Sequence, residues 1–179
     1  GDGDHGMNMN KGVSVFEERF KDQDFTFAEG LDELGTILLT EIGGSMGPIY
    51  GTILMDMAER GEDLDEISLA DLGAMLESGL LGLCEIVEAK VGDKTLVDTL
   101  SPATDCIKKE AEAGTDYAEA LDKMKAAAEA GRDSTKDMVA KFGRSSRLGE
   151  RSRGVLDAGA TSCCIILEAM ADGIKEQLK

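Results

Sequence analysis

Apolar residues recur at three- and four-residue spacing along nearly the whole chain, and the alternation of a half-buried strand is almost absent. That period restricts the fold to packed helices. Aromatics are 4% of the 179 residues and Trp is absent, while Ala, Leu, Gly and Met are abundant. Such a palette suits close helix packing better than a β-sandwich. The spacing predicts helices over about Asn8 to Phe20, Phe27 to Ile42, Pro48 to Glu59 and Leu69 to Lys90. Three more run over about Lys94 to Glu112, Asp116 to Lys141 and Ala158 to Gln177. Gly43-Gly44 stops the second, and Pro48 suits a first turn, where its missing N–H costs nothing. Ser68 and Asp93 are candidate N-caps, and Pro102 is expected to kink or divide its helix. Short connections between these helices make an all-α bundle, with an eighth helix if a helical segment precedes Gly1. Residues 1–179 read as a single domain, because low-complexity tracts, repeats and linkers are absent.

Charge narrows the partners. Nineteen Lys and Arg stand against 36 Asp and Glu, a formal net charge of −17. That field repels phosphate backbones and anionic lipid, which disfavours nucleic acid and membrane surfaces as partners. A nucleotide is also an anion, so binding one requires a local inversion by metal ions, backbone N–H groups or a few arginines. Cys84, Cys106, Cys163 and Cys164 form no C-x-x-C pair, and the vicinal two lie in an apolar run. They read as packed thiols of a reducing compartment. With no signal peptide and no apolar span long enough for a membrane helix, a cytoplasmic protein is expected.

The densest ligand chemistry lies at the start, in Gly1-Asp2-Gly3-Asp4-His5-Gly6-Met7-Asn8. Asp2 and Asp4 are hard oxygen donors one residue apart on a glycine-loosened backbone, a spacing that can aim both at one Mg²⁺. The other reading is an acidic turn that caps the first helix. The Gly1-x-Gly3-x-x-Gly6 spacing matches a dinucleotide fingerprint only formally, since no strand precedes it. An EF-hand fails, because the twelfth position from Asp2 is Val13. His5 is the only histidine and has no favoured Ser or Cys partner, and two neighbouring carboxylates oppose its phosphorylation.

Four further stretches could meet an anion. Gly43-Gly44-Ser45-Met46-Gly47-Pro48 joins one helix end to the next start, where free N–H groups and the helix dipole favour negative charge, although it also reads as an ordinary turn. Gly92-Asp93-Lys94-Thr95 is a capped turn whose Asp and Lys could orient a nucleotide or brace another loop. Between Gly143 and Gly154 lie Arg144, Arg147, Arg151 and Arg153, suited to bidentate phosphate contact or to pairing with surplus surface carboxylates. Asp157-Ala158-Gly159-Ala160-Thr161-Ser162 follows as a turn and helix start.

Taken in order, these motifs resemble the ADP-binding L subunit of dihydroxyacetone kinase, or the equivalent C-terminal domain of single-chain forms. Gly1-Asp2-Gly3-Asp4-His5-Gly6-x-Asn8-Met9 resembles the family's metal loop, and Gly43-Gly44 with Gly47-Pro48-x-Tyr50-Gly51-Thr52 its phosphate-side turn. Gly92-Asp93-Lys94-Thr95, then Gly143-Arg144-x-Ser146 with Leu148-Gly149-Glu150-Arg151-Ser152, and lastly Asp157-x-Gly159-Ala160-Thr161-Ser162 complete the set.

The resemblance implies a barrel of eight antiparallel helices, the first missing from this chain, with a nucleotide and two Mg²⁺ ions held by loops at one end. It implies Asp2 and Asp4 as metal ligands, with a third Asp five residues before Asp2. It implies His5, Gly6, Met7, Asn8, Gly44, Ser45, Met46, Leu96, Arg144, Asp157, Ala158 and Gly159 as nucleotide contacts. Met46 stands where the family often has Ser, and Ala158 where it commonly has Pro. In the phosphotransferase-system version ADP stays bound as a coenzyme. A phosphohistidine on a separate M subunit recharges it, and the ATP formed phosphorylates dihydroxyacetone on a K subunit. The competing classes are an ATP-dependent kinase domain for a related small ketose or triose, a metal-dependent phosphohydrolase, and a non-catalytic helical regulatory module.

Overall fold

Helices make up the regular structure, and most begin where a side chain supplies the missing acceptor. The structure is a computed structural model describing residues 3–179, and the chain divides into two units, residues 1–87 and 88–179. The first holds α1 (His5–Phe20), α2 (Phe27–Glu41), α3 (Met46–Gly61) and α4 (Leu69–Ile86). Thr26 accepts the Glu29 N–H at 3.1 Å while the Glu29 carboxylate accepts the Thr26 N–H at 2.8 Å. Ser68 and Asp71 repeat this reciprocal cap on α4. Each cap is worth about 1 kcal/mol.

Glycine sets how closely the first unit packs. On α2 and α3, a Cβ on Gly51 would stand 3.0 Å from the Gly35 carbonyl oxygen, and one on Gly47 would strike the carbonyl oxygens of Leu38 and Ile42. Against α4, a Cβ on Gly79 would stand 3.0 Å from the Ile53 carbonyl oxygen. Between these helices Leu38, Met57, Leu72, Met75, Leu76 and Leu83 are almost wholly buried, each side chain contributing roughly 1.5–3 kcal/mol. α1 runs antiparallel to α2. Its Phe16 ring meets Phe25 edge-on at 5.5 Å beside the start of α2, while Gly12 abuts Leu38 and Ile42 near the end of α2. The N-terminus of α1 therefore lies at the same end of this unit as the 43–45 turn.

The second unit holds α5 (Val97–Glu112), α6 (Tyr117–Ser134) and α7 (Ala158–Gln177). Between α6 and α7 lie a 3-10 turn (Thr135–Asp137) and a 3-10 segment (Arg144–Ser152) broken at Gly149. Leu100, Ala103, Ile107, Ala120, Leu121, Met124, Ala128, Ala160, Cys164 and Ala171 are buried. The exposed pairs Lys125–Asp172 (2.7 Å) and Lys175–Asp122 (2.6 Å) tie α6 to α7, each worth less than about 1 kcal/mol.

Several boundaries differ from the sequence expectation. α1 begins at His5 rather than Asn8, and α3 at Met46 with Pro48 still inside its first turn. α4 stops at Ile86 instead of Lys90, because the Asp93 carboxylate captures the Lys90 N–H at 2.9 Å and bends 90–93 into a turn. Asp93 consequently does not cap α5, which begins at Val97; the Val97 N–H donates to the Thr95 hydroxyl at 3.2 Å. Pro102 does not divide α5. It leaves the Asp98 carbonyl without a helical donor, and Gly131 of α6 sits directly against that oxygen. α6 ends at Ser134 rather than Lys141, where the Ser134 and Thr135 hydroxyls donate to the Gly131 and Arg132 carbonyls. Among the described residues no helix is long and apolar enough to cross a membrane.

Candidate functional site

The residues singled out by sequence fall at helix N-termini, where the first N–H groups lack intrahelical acceptors. In the first unit, Asp4 is the N-cap of α1, and His5, Gly6, Met7 and Asn8 form its first turn. Asp4 is exposed and its side chain makes no capping hydrogen bond, so among the described residues its carboxylate oxygens remain available to a cation. The carboxylate still lies at the α1 N-terminus, where its charge faces the positive end of the helix dipole. Asp2 lies outside the described residues. Among the described residues no three His, Cys, Asp or Glu side chains are grouped to hold a metal ion. Asp4 nonetheless fits one as a hard oxygen donor without a capping bond among the described residues. At the same end of this unit Gly44 adopts a left-handed φ of 83°, and Ser45 is the N-cap of α3 with no side-chain capping bond. Met46 opens α3, leaving an uncapped, glycine-flanked helix start of the kind that accepts anions.

The second unit brings three expected residues together. Leu96 is the N-cap of α5 and Asp157 the N-cap of α7, whose first residues are Ala158 and Gly159. A Cβ on Gly159 would stand 3.1 Å from Asp157 Oδ2 and 3.4 Å from Leu96 Cβ. The Asp157 carboxylate accepts the Ala160 N–H at 2.8 Å, and the Thr99 hydroxyl donates to the Ala160 carbonyl at 3.1 Å. Burial pushes the Asp157 carboxyl above its ordinary value, outweighing its backbone hydrogen bonds and the nearby Lys94 ammonium. The folded protein therefore holds this proton to higher pH than the unfolded chain. The stability from this group is fully present below the ordinary carboxylate range and is lost as pH rises through the raised value. Asp157→Asn keeps a capping oxygen and removes the titrating proton. Urea unfolding from pH 4 to 8 should show the variant gaining on the wild type as pH rises; a constant difference would contradict the raised value.

Arg144 opens the 3-10 segment and is exposed. Arg153 is committed to Glu150 (3.1 Å) and to the Asp137 carbonyl. Arg147 and Arg151 are exposed and make no ion pair among the described residues, so pairing with surface carboxylates does not account for them. What holds this segment is the Gly92-Asp93-Lys94-Thr95 motif, in its bracing role. Lys94, 3% exposed, donates from Nζ to the carbonyls of Val155 (2.6 Å), Ser152 (2.7 Å) and Met138 (3.3 Å). Asp93 pairs with Lys141 at 2.7 Å, which with the Lys90 N–H holds its carboxyl below the ordinary range.

Of the residues that complete this brace, sequence reading missed Asp98 and Thr135 and had Ser152 only as the end of a motif. The Asp98 carboxylate accepts the N–H groups of Gly92 (2.6 Å) and Thr95 (2.8 Å), fixing the turn that carries Lys94. The Ser152 hydroxyl accepts the Ala140 N–H and donates to the Gly149 carbonyl, and the Thr135 hydroxyl accepts the Asp157 N–H. The only available signal was polarity at positions an apolar period would bury, as with Asp98 two places before Leu100. Cys163 and Cys164 are buried, free thiols, Cys164 pushed up to about 11 by burial, so neither is a thiolate nucleophile at neutral pH.

The chain matches the DAK2 domain family over residues 1–172. It is 35% identical, over 98% of its own length and 84% of the relative's, to the PEP-dependent dihydroxyacetone kinase, ADP-binding subunit DhaL, of Escherichia coli. It is 33% identical, over 95% of its length and 80% of the relative's, to the PEP-dependent dihydroxyacetone kinase 1, ADP-binding subunit DhaL, of Listeria innocua. The L-erythrulose kinase of Pectobacterium atrosepticum is 32% identical over 96% of this chain, which spans 30% of that longer relative.

Proposed function

This chain belongs to the DAK2 domain family, and on that premise we propose that it is the ADP-binding subunit of a dihydroxyacetone kinase, a cytoplasmic phosphotransferase fed by a phosphohistidine carrier. The observation that carries the reading is 35% identity to an ADP-binding subunit over nearly the whole chain, with the family's motif residues at helix starts. In the first unit Asp4, with Asp2, holds Mg²⁺, and His5, Gly6, Met7, Asn8, Gly44, Ser45 and Met46 are the nucleotide contacts this reading assigns. In the second unit it assigns Leu96, Arg144, Asp157, Ala158 and Gly159 as nucleotide contacts. Bound together, nucleotide and Mg²⁺ supply a phosphoryl relay from a phosphohistidine on an M subunit to a dihydroxyacetone hydroxyl on a K subunit.

The chain's own part is binding and charge. Carboxylates concentrate Mg²⁺, helix N-termini offer N–H groups to phosphate oxygens, and arginines offset the net charge of −17 around an anionic ligand. No nucleophile or general base of this chain is needed, which agrees with its single histidine and inert vicinal thiols.

Reconstitution tests the assignment. Dihydroxyacetone phosphate is expected to form only when this protein, the K subunit and the phosphorylated M subunit are all present. Steady ADP release from ATP by the purified chain alone would favour a phosphohydrolase instead. Turnover with K subunit and free ATP at the full rate would favour the ATP-dependent ketose kinase reading.

A further inference from the structure

We propose that Lys94 is a positioning residue of the nucleotide site: its buried ammonium ties the 138–155 segment together through three backbone carbonyls and so fixes where the segment's arginines meet the phosphates of a nucleoside diphosphate. The inference rests on the ADP-binding reading and assigns Lys94 a role through that segment rather than on the nucleotide.

A nearly fully buried lysine is rare unless a counter-charge accompanies it, and Lys94 has no salt bridge among the described residues. Its three hydrogen bonds go instead to Met138, Ser152 and Val155, acceptors spread across both ends of the arginine segment. Its backbone is also unusual, being the only non-glycine residue with positive φ (61°) among those described. Neighbouring groups hold it there: Asp98 grips the flanking N–H groups of Gly92 and Thr95, while Lys141 joins Asp93 through both its ammonium and its backbone N–H. Burial lowers the Lys94 pKa, Asp157 and Asp137 oppose that shift, and Arg153 adds to it.

The segment so held has almost no core of its own. Of residues 141–156 only Ser152 is buried, while Phe142, Leu148, Val155 and Leu156 are exposed along with all four arginines. Apolar packing cannot set its orientation, so polar anchors must. The Ser152 hydroxyl accepting the Ala140 N–H, the Asp93–Lys141 pair and Gly154 donating to the Lys136 carbonyl at 2.7 Å share this task, and Lys94 adds a single buried ammonium shared by three carbonyls from both ends of the segment.

The test compares wild type, Lys94→Met and Met124→Ala in the full-length protein by hydrogen exchange and by titration with ADP and with adenosine. Met124 lies in the α6 core, so its truncation lowers stability without touching the segment. Lys94→Met is expected to lose amide protection within 138–156 and to bind ADP roughly 10- to 100-fold more weakly, the scale of a misplaced contact. Adenosine affinity should change by less than about threefold, and Met124→Ala should keep its ADP affinity well below its melting temperature. Wild-type ADP affinity in Lys94→Met, or exchange that rises evenly over residues 88–179, would overturn the assignment. Should Lys94→Met fail to fold, Lys94→Gln, which keeps a polar donor but cannot serve three carbonyls, is expected to lose roughly 3- to 10-fold in ADP affinity; unchanged affinity there also overturns it. If the wild type itself fails to bind ADP, the site reading falls, and the exchange pattern still decides whether Lys94 holds the segment.

Discussion

Asp4→Ala is expected to abolish Mg²⁺-dependent ADP binding while leaving the helices intact. Disturbing even an outer partner of a metal ligand costs roughly 10- to 100-fold in affinity, so loss of a direct carboxylate ligand should exceed about 100-fold. The stability cost is much smaller. Asp4 is exposed and caps nothing through its side chain, so only its charge beside the α1 N-terminus is lost, below about 1 kcal/mol. Asp4→Asn separates the two readings of this loop, because an amide can still serve a helix start but is a poor Mg²⁺ ligand. Calorimetric titration should show both variants equally impaired with Mg²⁺ present, their thermal melts lying close to the wild type. An Asp4→Asn protein that binds ADP normally would return this residue to a purely structural role.

Gly47→Ala carries the largest expected effect on stability. Helix propensity alone favours alanine over glycine, by at most about 1 kcal/mol in this first turn of α3. Packing reverses the sign, because the added Cβ would meet the carbonyl oxygens of Leu38 and Ile42, backbone atoms that cannot rotate aside. α3 must then move away from α2, and overpacking of this kind costs about 3 kcal/mol. In a chain of 179 residues this should lower the melting temperature by roughly 6–12 °C. Gly43→Ala is the control, since a Cβ there meets nothing within 4 Å. Circular dichroism melts should place Gly43→Ala near the wild type and Gly47→Ala far below it. Because Gly47 follows Ser45 and Met46, the same variant should also weaken ADP binding. Equal melting of all three proteins would refute the close α2–α3 approach.

How legible these features were depended on the range of the interactions behind them. α2 and α7 follow from local signals, the Thr26–Glu29 capping box and the Asp157 cap, and their limits were readable to within a residue. The ends of α4 and α6 were not, because apolar spacing continues through Val87, Ala89, Met138 and Val139 after the helices have stopped. What stops them is polar: Asp93 claims the Lys90 N–H, and the Ser134 and Thr135 hydroxyls claim carbonyls. The helix starts that carry the candidate site were legible as glycine and Asx signals. Their brace was legible only as alternatives, since the Lys94 partners lie 44 to 61 residues away in sequence. Asp98, Thr135 and Ser152 left no periodic trace, their value residing in acceptors and donors that only the folded unit brings near.

Calorimetric titration of ADP into the full-length protein, with Mg²⁺ and again after chelation, decides whether this chain binds the nucleotide through the metal. Tight binding with Mg²⁺ and a steep loss of affinity without it is the predicted result. Absence of ADP binding in the presence of Mg²⁺, or equal binding in its absence, would contradict the assignment of this chain as a metal-dependent ADP-binding subunit.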